Sequence, residues 1–173
     1  MKVDNAYSYT FTNEGMFFYL KNNNQVFRCP AGNIGGYVHD EFLNLDEGVK
    51  WIRVSYDGDQ GIYFAGTKTG DDGSRQVYVE KRNCINGDIE HGLTIYLYPD
   101  AEGFAINSEG NCLYYYVQRK TGEYVVEMYD FDAKEKRDLY AGTAKSIWGL
   151  TICDNGNLSL VVDEELIVIP TYY

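Results

Sequence analysis

The chain is poor in the residue types that most often carry chemistry, with two histidines and no CxxC pair among its four cysteines. His39 and His91 each stand beside acids, Asp40 and Glu41 in one case and Asp88 and Glu90 in the other. Such a group can ligate a metal, but a solvated polar turn accounts for the same residues, and no metal is expected. Cys29, Cys84, Cys112 and Cys153 are scattered, which excludes the usual zinc spacings. Basic residues are scarce too, 15 Lys and Arg against 26 Asp and Glu, for a formal charge of −11. Nucleic-acid affinity rests on neutralising phosphates, so a nucleic-acid partner is not expected. An anionic membrane surface is disfavoured for the same reason. No apolar run approaches the ~20 residues of a membrane span. The opening Met1-Lys2-Val3-Asp4-Asn5 lacks the apolar stretch of a secretion signal. A cytoplasmic chain with free, mostly buried thiols is the expectation.

Catalytic signatures are missing as well. The chain has no phosphate-binding glycine loop, no nucleophile elbow and no HExxH pair. With 26 acids, some carboxylate pair will match glycosidase spacing by chance, so that signal carries nothing. Asp57-Gly58-Asp59, Asp71-Asp72-Gly73 and Asp154-Asn155-Gly156-Asn157 offer oxygen ligands, but none has the spacing of an EF-hand loop, and as turns they are already explained. No catalytic residue and no cofactor follow from the sequence.

What the chain does have is aromatics and glycine. Seventeen Tyr and eight Phe suit pleated, half-buried strands. Eighteen Gly against three Pro leave the turns to Gly, Asn and Asp. Four segments share one pattern, in which an alternating strand leads to an acid or Asn followed by Gly, and then to an aromatic or aliphatic strand. They are Tyr9-Thr10-Phe11-Thr12-Asn13-Glu14-Gly15, Ile52-Arg53-Val54-Ser55-Tyr56-Asp57-Gly58, Phe104-Ala105-Ile106-Asn107-Ser108-Glu109-Gly110 and Leu150-Thr151-Ile152-Cys153-Asp154-Asn155-Gly156. The four glycines recur at intervals of 43, 52 and 46 residues. Propeller blades recur at roughly 40–50 residues. The glycine supplies the positive φ of a tight hairpin. The strand after it is almost continuously apolar, as in a sheet covered on both faces. Third strands follow at 25–29, 76–81, 124–131 and 166–170, and outer strands at 36–43, 93–98 and 138–141.

Ser55-Tyr56-Asp57-Gly58 with Ile62-Tyr63-Phe64 resembles the signature of TolB-type, WD40-like β-propeller repeats. So does Asn107-Ser108-Glu109-Gly110 with Leu113-Tyr114-Tyr115, although the proline of that signature is missing throughout. Met128-Tyr129-Asp130-Phe131-Asp132 with Lys136-Arg137-Asp138-Leu139 resembles the third and outer strands of such a repeat. The resemblance implies an all-β, β-propeller-like array of about four blades with little helix. It implies one domain over 1–173, with units near 9–48, 49–100, 101–147 and 148–173. Residues 1–8 are then available to complete the last sheet. An open crescent, or pairing with a second copy as a homodimer, would manage the ends differently. Residues 40–50 and 133–140 have room for a turn or two of helix, neither periodic enough to pack.

Binding rests on Trp51 and Trp148, just before the first strands of the second and fourth units, where propeller linkers approach the central channel. Arg53 and the turn holding Tyr98, Asp100 and Glu102 lie near them in this reading. Trp and Arg anchor buried interfaces, although both indoles are also suited to filling space between blades. Three functions follow, in this order: a non-enzymatic acidic module that engages a protein partner, such as an inhibitor or immunity-type protein neutralising a basic target; a carbohydrate-binding propeller; and a fragment of a propeller-containing hydrolase.

Overall fold

A computed structural model of the chain describes residues 6–22, 24–36, 39–56, 58–96, 100–107, 111–153 and 155–171. It is all-β, with fifteen strands and one short 3₁₀ turn among the described residues, the strands arranged as four antiparallel, propeller-type sheets. The first sheet holds β1 (Ala6–Phe11), β2 (Met16–Lys21), β3 (Gln25–Pro30) and β4 (Asp40–Asn44) in that spatial order. The second holds β5 (Lys50–Tyr56), β6 (Gly61–Thr69), β7 (Arg75–Asn83) and β8 (Ile89–Tyr96). The third holds β9 (Ala101–Ile106), β10 (Cys112–Gln118), β11 (Glu123–Asp130) and β12 (Glu135–Thr143). The fourth has three strands, β13 (Ile147–Ile152), β14 (Leu158–Val162) and β15 (Glu165–Ile169). Each sheet is an antiparallel meander in which sequential strands pair. No helix of the described residues is long and apolar enough to cross a membrane.

The repeat pattern translates directly into these sheets. Gly15, Gly58 and Gly156 have φ of 78°, 90° and 81°, the left-handed backbone that the acid-Gly turns require. Gly110, the fourth of the series, lies outside the described residues. The apolar runs become the second strands β2, β6 and β10, whose central residues are buried on both faces. One expectation is corrected. Residues 40–50 and 133–140 form no helix but contribute strands β4 and β12, whose edge pairing satisfies the backbone groups that a helix would have bonded internally. Residues 6–8 belong to β1, which pairs with β2 in the first sheet. Residues 1–5, the rest of the segment expected to be available to the last sheet, lie outside the described residues.

The chain forms two compact units, residues 1–97 and 98–173. In the first, Phe18, Leu20 and Val26 of the first sheet pack against Val54, Ile62 and Phe64 of the second. Each such fully buried side chain contributes roughly 1.5–3 kcal/mol. The Ser8 and Thr10 hydroxyls accept the Val54 and Tyr56 N–H groups at 3.0 and 3.2 Å, so β1 satisfies donors on the free edge of β5. In the second unit, Tyr114, Tyr116, Tyr124, Val126 and Met128 form one face of the third sheet. They pack on Ile147, Leu150, Leu158 and Leu160 of the fourth.

Candidate functional site

Strand alternation decides what the other face of the third sheet presents. With Tyr124, Val126 and Met128 turned into the core, β11 directs Glu123, Val125 and Glu127 the opposite way. Antiparallel register places Thr143 across from Glu123, Ala141 across from Val125, and Asp138 across from Glu127. A bulge between Val126 and Glu127 separates the last two pairs. On the other side Val117 lies opposite Val125, and Tyr115 opposite Glu127. The result is a groove of about 680 Å³ with Val117 and Val125 in its lining and a rim of Asp100, Glu123, Glu127 and Asp138. Arg119 is the one cation among the described lining residues, held in a solvent-exposed pair with Glu123 at 3.9 Å.

Glu127 stands apart from the other acids of this groove. It is only 8% exposed, and its Oε2 has no hydrogen-bond partner. Burying a carboxylate without compensation is expensive, and the carboxylate directly across the strands, Asp138, adds like-charge repulsion. The arrangement is therefore chemically unsatisfied and set to receive positive charge. Among the described residues no three His, Cys, Asp or Glu side chains group closely enough to hold a metal ion.

The residues singled out from the sequence have different surroundings. Trp51 is wholly buried in the first unit, edge-on to Phe64 and Tyr78, and its Nε1–H donates to the Asp46 carbonyl at 2.8 Å. It is thus a core residue with no ring face open to a ligand. Arg53, two residues on, is half-buried and paired across β5–β6 with Ala65. Tyr98 lies outside the described residues. Asp100 is exposed and lines the acidic groove. The single proton of the Tyr116 hydroxyl is shared between the Ile147 carbonyl at 3.1 Å and Glu102 Oε2 at 3.4 Å. Burial and the adjacent Glu102 push the Tyr116 phenol up to about 12. Trp148 is 59% exposed on the fourth sheet, in a cross-strand row with Val161 and Leu166. Among the described residues of this set, Asp100 alone joins Glu123, Glu127 and Asp138. Of those three, Glu127 had a faint signal in the sequence, since it interrupts the apolar run Tyr124-Val125-Val126 ahead of Met128.

Among the described residues, His39 and Cys29 are held in contacts of other kinds. His39 shares a hydrogen bond with the Tyr19 hydroxyl at 2.7 Å. Burial, and then nearby Asp40, push the Cys29 thiol up, away from the reactive thiolate.

No family model matches the chain, and no curated protein matches it either. Solved structures do. A 6-phosphogluconolactonase homologue from Bacteroides uniformis aligns over 94% of this chain and 49% of its own, at 13% identity and a TM-score of 0.57. A protein assigned as TolB from Agrobacterium tumefaciens aligns over 94% of this chain and 56% of its own, at 11% identity and a TM-score of 0.61. The extracellular domain of a one-component system from B. thetaiotaomicron aligns over 94% of this chain and 20% of its own, at 12% identity and a TM-score of 0.55. The chain spans about half the length of the first two. At such identities the likeness concerns fold alone, and the fold it establishes is that of β-propeller sheets, TolB among the neighbours.

Proposed function

We propose that the chain is a non-enzymatic binding module that engages a basic protein partner through the acidic groove of its third sheet. The observation that carries this reading is Glu127, buried and unsatisfied on a face that also presents Asp100, Glu123 and Asp138. A net charge of −11 adds long-range attraction to such a partner and speeds encounter at low salt. Propeller folds serve many functions, and it is the groove, not the architecture, that favours a cationic partner. An inhibitor or immunity-type protein that neutralises a basic target is the specific form proposed. The same proposal puts the chain in a reducing cytoplasm, where its four free thiols stay reduced.

The test is affinity capture with the tagged chain at low and high salt, followed by titration of the purified partner. One stoichiometric basic protein, released by salt and binding the isolated chain, supports the reading. A partner whose affinity is unchanged by salt overturns its electrostatic part.

One observation favours a second reading, a carbohydrate-binding propeller. Trp148 presents an open indole in a row with Leu166, itself 69% exposed, and aromatic faces stack on the apolar faces of sugars. A glycan array decides it, with binding lost in Trp148→Ala as the supporting result and an empty array as the opposing one.

A further inference from the structure

We propose that Glu127 receives one cationic side chain of the partner, a lysine ammonium or an arginine guanidinium, inserted into the groove of the third sheet. The proposal rests on the binding-module reading above and names the group that the groove takes. Its main support is internal to the chain. The repeat aligns Ile62-Tyr63-Phe64 with Leu113-Tyr114-Tyr115. In the second sheet Phe64 stands across from Glu80, and in the third Tyr115 stands across from Glu127. Glu80 and Glu127 are therefore the same position in successive units. Both are buried, at 3% and 8% exposure.

Their surroundings differ in three respects. Glu80 is neutralised within its own strand by the Nε of Arg82, which is anchored in turn by a 2.9 Å bond to the Gly87 carbonyl. The residue two positions after Glu127 is Tyr129, which carries no charge to offer. Across the outer strand, Glu80 faces Gly92, whereas Glu127 faces the carboxylate of Asp138. The third sheet keeps the buried acid, drops its arginine, adds a second acid and opens a groove at that place. A carboxylate stripped of its internal counter-ion beside an open groove is complementary to a cation arriving from outside. A hydrogen-bonded ammonium or guanidinium provides the charge-assisted contact that Arg82 makes in the second sheet. One cationic side chain matches the one orphaned carboxylate oxygen, Glu127 Oε2.

The experiment titrates the full chain with capped hexalysine and hexa-arginine peptides at low salt, with capped hexaglutamine as the control. Three variants are compared. Glu127→Gln removes the buried charge, Tyr129→Arg restores the internal counter-ion seen in the second sheet, and Asp71→Asn removes an exposed charge of the first unit. The expected result is at least a tenfold loss of affinity for one or both cationic peptides in Glu127→Gln and in Tyr129→Arg. Asp71→Asn should stay within twofold of the unaltered chain. Both groove variants should also melt at a higher temperature, because one removes the unpaired buried charge and the other pairs it; loss of a merely structural residue moves the midpoint the other way. Preference for hexalysine or hexa-arginine identifies the cation. Equal weakening by Asp71→Asn and Glu127→Gln reduces the effect to bulk charge and overturns the proposal. So does Glu127→Gln with a lower melting temperature and unchanged affinity. If the unaltered chain takes neither cationic peptide the anchor is overturned, while salt-sensitive capture of a basic protein would leave the binding-module reading standing.

Discussion

Trp51 and Gly66 face each other across β5 and β6, and the close approach of the strands there depends on the glycine. A Cβ at Gly66 would stand 2.4 Å from Val49 Cγ1 and 2.9 Å from the Lys50 carbonyl, and backbone cannot yield as a flexible side chain can. Gly66→Ala should lower stability by about 1–3 kcal/mol, read as a shift of the denaturant midpoint. An unchanged midpoint would show that β5 moves freely over β6. Tyr116 makes a second prediction at this scale. Its folded-state value of about 12 lies above the unfolded value near 10, so the folded state holds the phenol proton more tightly. The associated stability is complete below pH 10 and is lost as pH rises from 10 to 12. Melting temperature measured against pH should therefore fall more steeply over that window in the native chain than in Tyr116→Phe. Parallel curves would contradict the assignment.

Among the elements, the β14–β15 hairpin shows how a turn is held under strain. Val162 pairs with Glu165, leaving Asp163 and Glu164 as a two-residue turn with φ of 48° and 72°. Such turns require left-handed backbone at both positions, where Asn-Gly is the usual solution. Asp163 is retained for a separate reason: its Oδ1 accepts the Lys145 and Ser146 N–H groups at 2.8 and 2.9 Å. Glu164 has no such role among the described contacts, and a side chain with a Cβ is strained in that backbone. Glu164→Gly should stabilise the protein by about 1 kcal/mol, measured by thermal or chemical unfolding. A loss of stability would mean that glycine's greater freedom in the unfolded chain outweighs the relief.

For the whole molecule, charge is the property that acts at a distance. A chain with a net charge of −11 repels itself when compact, so moderate salt should raise its melting temperature while weakening its hold on a basic partner. Opposite signs in the two measurements are the expected signature. A partner affinity that rose with salt would point to an apolar interface such as the row of Trp148, Val161 and Leu166.

Much of the fold was legible in residue order because its determinants are local. An acid or Asn followed by Gly sets a hairpin through backbone conformation alone, and uninterrupted apolar runs such as Leu113–Val117 mark strands covered on both faces. The repeat interval then made four sheets of the propeller kind readable. Strand ends and partners were less so. The helical option for 40–50 and 133–140 gave way to edge pairing, and residues 6–8 joined β2, since pairing partners are chosen across space. The candidate site was the least legible part. Trp51 and Trp148 look alike in sequence, yet burial makes one a core residue and leaves the other open. Glu80 and Glu127 look alike as well, and only the register of β11 with β12, and the side chain two positions on, show that one acid is neutralised and the other is not. Sequence order was sufficient for the strands, the turns and the acidity, which depend on neighbours in the chain. Which face each side chain takes and which charges meet depended on strand pairing and sheet packing, and these exist only in the folded molecule.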